Sequence, residues 1–116
     1  MKKPIAIIAG EPNSISSEII FKTWKLKRKY KHKPFFIIGS IQLLNSQMKK
    51  LKYNIKIKKI DRNFSVKDLI KNELPVYDVK YNQKKPFENL SSKSNKYIFK
   101  CFDIASKLSI KKKIIG

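Results

Sequence analysis

Two short, unbroken apolar runs constrain this chain more than any other feature: Ile5-Ala6-Ile7-Ile8-Ala9 and Phe35-Phe36-Ile37-Ile38. Each is too short to be a helix of ordinary length. Neither alternates in the way that a strand with one wet face does, so each predicts a strand buried on both faces. Such burial needs helices above and below the sheet. The residues after each run supply them, because apolar side chains recur there at spacings of three and four. Strand, helix, strand, helix with short connections is the pattern of a βαβ unit on a parallel sheet. The expected class is therefore α/β, an open, mostly parallel sheet with flanking helices.

The first helix is expected over residues 16–30, with Ile15, Ile19, Ile20, Thr23 and Trp24 facing inward. Ser16 and Ser17 suit its N-cap, and Glu18 places a negative charge in the first turn, where the helix dipole favours it. The second helix is expected over 40–50, with Ile41, Leu44, Met48 and Leu51 inside. Residues 53–60 alternate Tyr53, Ile55 and Ile57 with lysines, which predicts a half-buried strand near a sheet edge. A weak helical turn follows over 66–70. Leu74 to Val79 reads as a short strand that Pro75 confines to an edge or to a strand start. Residues 82–92 are polar and rich in turn formers. A third helix over 94–108 should bury Ile98, Cys101, Phe102, Ala105 and Leu108 and expose Asn95, Lys96, Lys100, Asp103 and Lys107. Ile114-Ile115-Gly116 resembles the opening of a further buried strand, so residues 1–116 are expected to be part of a longer domain.

The formal charge of +20 raises nucleic acid or an anionic surface as a partner. Its distribution argues otherwise. Arginine, the residue suited to bidentate phosphate and guanine contacts, occurs only at Arg28 and Arg62. The lysines are spread along the chain, and Lys, Ile, Asn, Phe and Tyr all have A/T-rich codons, so coding bias accounts for the excess. A small basic nucleic-acid-binding module stays as the alternative, and non-specific polyanion binding at low salt is expected either way through counterion release. No apolar stretch is long enough for a membrane span, and the N-terminus lacks the apolar core of a signal peptide. The expected location is the cytoplasm, with no membrane partner. Cys101 is the one cysteine, which excludes an internal disulfide. Its apolar neighbours predict a buried, inert thiol.

Little in the sequence is built for chemistry. No Gly-x-Gly-x-x-Gly or Gly-Lys-Ser/Thr phosphate loop occurs. His32, the one histidine, sits between lysines and is expected to be a solvated loop residue, so no metal site can be assembled here. The most informative stretch is the turn Gly10-Glu11-Pro12-Asn13-Ser14 between the first strand and its helix. In open α/β sheets this is where ligands bind, since free backbone N–H groups and the helix dipole favour anions. Gly10, Glu11, Pro12 and Asn13 are the candidate substrate- or cofactor-binding residues, Glu11 being the site carboxylate. Glu18 reads as a helix charge rather than a general base.

Gly10-Glu11-Pro12, Ile15 and Glu18-Ile19-Ile20 resemble the opening motif of the 4-hydroxythreonine-4-phosphate dehydrogenase family. Phe36-Ile37-Ile38-Gly39-Ser40 with Leu43-Leu44 is similar to that family's second strand and helix. Lys85-Pro86, Ser94-Asn95-Lys96-Tyr97 and Phe102-Asp103-Ile104-Ala105 resemble the loop and helix before its central strand. Serines at 14, 16 and 17 stand where the family has Gly, Gly and Pro. The resemblance implies an isocitrate-dehydrogenase-like fold, with this chain as its N-terminal part, cut at a central strand. It also implies an NAD-dependent oxidation of 4-phosphohydroxy-threonine followed by decarboxylation, on the route to pyridoxal phosphate. A divalent metal held by histidines at a homodimer interface would act as Lewis acid. The residues for that chemistry lie beyond Gly116 in the family pattern, so this segment alone is expected to be inactive.

Overall fold

The structure is a computed structural model and describes residues 4–9, 12, 16–30, 34–69, 72–81, 83 and 94–110. Four strands, β1 (Ile5–Ile8), β2 (Phe35–Gly39), β3 (Ile57–Ile60) and β4 (Leu74–Asp78), form one sheet in the order β1-β2-β4-β3. Every pairing is parallel. Helix α1 (Ser16–Tyr30) joins β1 to β2, and α2 (Ile41–Lys50) leads towards β3. A 3-10 turn at Val66–Leu69 joins β3 to β4, and α3 (Asn95–Ile110) follows.

Side chains on a strand alternate between faces, so the sheet divides the core into two layers. On one face Phe35, Ile37, Leu74 and Val76 pack under Ile20, Phe21 and Trp24 of α1 and Leu44 and Met48 of α2. On the other, Phe36, Ile38, Ile60 and Val79 meet Leu69, Tyr97, Cys101 and Leu108, with Ala6 and Ile8 at the margin. β2 is buried along its whole length, as its unbroken apolar run requires.

β1 departs from expectation. Ile5 is 38% exposed and the rest of the strand is only half-buried, because among the described residues β1 has a neighbour on one side alone. β3 does lie at the opposite edge, as its lysines predict. β4 is interior rather than marginal, and Pro75 is buried within it. The Leu74 N–H donates to the Lys56 carbonyl at 2.8 Å, on the β3 side, so the next nitrogen in the strand faces β2. There the ladder begins at Val76, and proline's missing donor breaks nothing.

The inward face of α1 is also rotated from the expected one. Phe21 and Ser17 are buried, while Ile19 is 54% exposed and Thr23 faces outward. Ile19 and Phe21 both fit a helical stripe, but the aromatic ring buries more area, worth about 2–3 kcal/mol when fully enclosed. Phe21 lies 5.5 Å from the Tyr53 ring, and Trp24 meets Phe35 edge-on at 5.7 Å. In α3 the five expected polar positions are exposed and Cys101 is buried, yet Phe102 points out at 55% exposure and Tyr97 takes the inner place. The expected strand at residues 114–116 and the expected loop over 82–92, Gln83 apart, lie outside the described residues.

Candidate ligand site at the strand ends

The carboxyl ends of β1, β2 and β4 come together where the sequence locates its candidate turn. β1 leaves the sheet at Ala9, whose N–H donates to the Ile38 carbonyl at 3.0 Å. Of the four candidate residues, Pro12 is described; it is buried, and its carbonyl accepts a hydrogen bond from Nε2 of Gln47. Gly10, Glu11 and Asn13 lie outside the described residues, as do Ser14 and His32. Gln47 is itself buried at 1% exposure on the inner face of α2. It ties the turn after β1 to the second helix, a role the sequence shows only as one polar residue on the stripe Leu44-Gln47-Met48.

The next junction is built tightly. A Cβ on Gly39 would stand 2.7 Å from Cβ of Ala9 and 3.0 Å from Oη of Tyr97, so only glycine lets β1, β2 and α3 close together here. Ser40 caps α2: its Oγ accepts from the Leu43 N–H at 3.2 Å, and its own N–H donates to Tyr97 Oη at 2.9 Å. Asp78, from the end of β4, accepts the Ile41 N–H at 3.0 Å through Oδ1. Three backbone donors at the start of α2 are therefore already paired within the protein, so this terminus has little left for an anion.

Burial, with the neighbouring Cys101 thiol second, holds the Tyr97 phenol above its ordinary range. Burial likewise pushes Cys101 up to about 11. Both stay protonated at neutral pH, and Cys101 is the inert thiol expected from the sequence. Glu18 pairs with Lys22 at 3.3 Å on the exposed surface of α1, a helix charge as expected. Ser17 contributes a buried Oγ that has no hydrogen-bond partner among the described residues. No three His, Cys, Asp or Glu side chains come together among the described residues in a way that could hold a metal. The described residues thus do not fit a divalent ion. No described helix is long and apolar enough to cross a membrane. A cavity of about 280 Å³ lined by Trp24, Lys25, Asn54 and Lys56 opens where the chain enters β3 and β4, at the other end of the sheet.

This arrangement of sheet and helices has clear counterparts among solved structures. A 4-hydroxythreonine-4-phosphate dehydrogenase from Burkholderia phymatum superposes with a TM-score of 0.82 over 98% of this chain, at 18% sequence identity. The fold is that of these dehydrogenases. A candidate 4-hydroxythreonine-4-phosphate dehydrogenase from Salmonella typhimurium gives 0.76 over 98% of the chain, at 21% identity. The chain spans about a third of the length of both, 34% and 35%. No protein-family model matches the sequence, and no curated protein matches it at a significant level. The four-stranded parallel sheet with flanking helices is the open α/β class expected from the sequence, and it matches these structural neighbours.

Proposed function

We propose that this chain is the N-terminal segment of a cytoplasmic, NAD-dependent dehydrogenase that oxidises 4-phosphohydroxy-threonine, with decarboxylation following, in pyridoxal phosphate synthesis. The observation that carries the reading is the superposition of 98% of the chain on a dehydrogenase of that name, joined to the order of the sequence motifs. In the full enzyme, a homodimer, the segment contributes Gly10, Glu11, Pro12 and Asn13 to the binding of substrate or cofactor. Three features support that assignment. The turn stands at a parallel strand end, it precedes a helix N-terminus, and Gln47 anchors it. Backbone N–H groups of such a turn can hold a phosphate or pyrophosphate, and the buried Ser17 hydroxyl has no partner among the described residues. NAD supplies hydride acceptance and the divalent metal Lewis acidity when bound. The metal's ligands belong to the rest of the enzyme, and the segment alone is inactive.

The test adds 4-hydroxythreonine 4-phosphate and NAD, singly and together, to the isotopically labelled chain and follows its amide resonances. Shifts centred on Gly10, Glu11 and Asn13, without NADH formation, are the expected result. Undisturbed resonances there, combined with oligonucleotide binding that survives physiological salt, would replace this reading with the nucleic-acid-binding one.

A further inference from the structure

We infer that the cavity between α1 and the entries to β3 and β4 binds the phosphate monoester of one small molecule, of sugar-phosphate or mononucleotide size. It lies at the opposite end of the sheet from the turn at residues 10–13 and is independent of the enzymatic reading.

The walls follow from how the chain leaves α2. Lys52 adopts a left-handed conformation, φ 61°, which ends the helix and turns the chain towards β3. The residues after it are tied down in turn. The Tyr53 N–H donates to the Met48 carbonyl at 3.0 Å, and the Ile55 N–H reaches Sδ of Met48 at 3.3 Å. The Lys56 carbonyl accepts the Leu74 N–H at 2.8 Å. Trp24, buried against Phe35, forms the wall on the α1 side. The cavity of about 280 Å³ is therefore shaped by backbone and core contacts, which leaves its polar side chains available to a ligand in a site formed beforehand.

The lining has one sign of charge. Lys25, Asn54, Lys56 and Asn72 surround an apolar wall of Trp24 and Ile55, and no carboxylate lines it among the described residues. Elsewhere Lys22, Lys58 and Lys107 each face an acid, at 3.3, 3.3 and 3.1 Å. The Lys25 ammonium instead stands 4.8 Å from the centre of the Tyr53 ring, a contact that places the charge without neutralising it. Among the described residues the side chains of Asn54, Lys56 and Asn72 have no hydrogen-bond or ionic partner. Two cations without a counter-charge favour a dianion over a carboxylate, and lysine binds phosphate as a point charge. The asparagine amides offer donors to the remaining phosphate oxygens and acceptors to hydroxyl groups. Trp24 and Ile55 take the carbon skeleton. The volume lies just below the usual range for small-molecule sites, roughly 300–1,000 Å³, so it admits one small molecule and excludes a dinucleotide. A nucleic-acid strand needs instead an extended groove with successive stacking aromatics.

Trp24 is the one tryptophan, so its indole N–H resonance in the labelled 116-residue chain reports on this cavity, together with the side-chain amides of Asn54 and Asn72. Glucose 6-phosphate and adenosine 5′-monophosphate should shift these signals saturably, while glucose and adenosine leave them in place. Lys25→Gln with Lys56→Gln should weaken binding by about tenfold or more. Lys96→Gln with Lys100→Gln removes the same charge from the exposed side of α3, across the sheet, and should change it by less than about twofold. Equal weakening by the two pairs would reduce the effect to overall charge and overturn the site. So would the absence of saturable shifts with both esters, or shifts confined to residues 10–13, an outcome that leaves the enzymatic reading standing. A single-stranded oligothymidylate that moves the same signals at lower concentration than either ester also overturns it, by assigning the lysines to a nucleic-acid surface.

Discussion

The junctions after β1 and after β2 are the same kind of structure, a parallel strand end running into a helix, and the described residues make different contacts at each. After β2 the helix start is closed from within. Ser40 supplies the cap, Asp78 reaches across from β4, and the phenol of Tyr97 takes the Ser40 N–H. After β1 the described residues show Gln47 anchoring the Pro12 carbonyl, and a buried Ser17 hydroxyl that has no partner among them. Position in the sheet alone therefore does not make a ligand site. What matters is whether the backbone donors at the helix start are already used. The closed junction is scaffold, and the other is where binding is proposed.

Gly39→Ala should break the closed junction most. A methyl 2.7 Å from Ala9 Cβ and 3.0 Å from Tyr97 Oη forces β1 and α3 apart, at about 2–3 kcal/mol of stability. Denaturant unfolding measures it, and a loss below about 0.5 kcal/mol would mean that the packing there is slack. Gln47→Leu acts on the other junction. It leaves the buried Pro12 carbonyl without its donor, at about 1–2 kcal/mol, and should speed amide exchange around residues 10–13 while leaving α2's first turn unchanged. Equal acceleration at both junctions would dissolve the distinction between them.

Alkaline pH should act next, and on the closed junction. Cys101 and Tyr97 both have pKa values raised on folding, so their contribution is complete below the unfolded values and declines as pH rises towards the folded ones. Stability should hold to about pH 8.5 and lose on the order of 1 kcal/mol by pH 10. A Cys101→Ala variant should lose less over the same interval, and an identical slope would remove the thiol from the account. The smallest change is expected for Ser17→Ala. Removing an unpaired buried hydroxyl should leave stability equal or raise it by up to about 1 kcal/mol. A loss greater than that would show that Ser17 Oγ has a partner in solution.

Much of this molecule was legible from residue order because its signals are local. Two unbroken apolar runs gave the two paired strands, the lysine-alternating stretch gave the edge strand β3, and the positions of the exposed lysines on α3 gave that helix its polar side. Errors arose where two local solutions were equally good. Ile19 and Phe21 both satisfy a helical period, as do Tyr97 and Phe102, and the depth of the neighbouring sheet decided between them. Pro75 marked a strand start correctly, but no local rule shows that the strand it starts lies between two others.

Sequence by itself determined the class of fold, the order of strands and helices along the chain, the buried cysteine and the place of the candidate turn. Each of these depends on side-chain period or on residues adjacent in the chain. Only the tertiary structure decided that β4 inserts between β2 and β3, that Gln47 holds the Pro12 carbonyl, and that Asp78 and Tyr97 close the start of α2. Those contacts join residues 35, 37 and 57 positions apart, and such distances carry no periodic signal. They exist because a buried donor must find an acceptor wherever the packed chain brings one within reach.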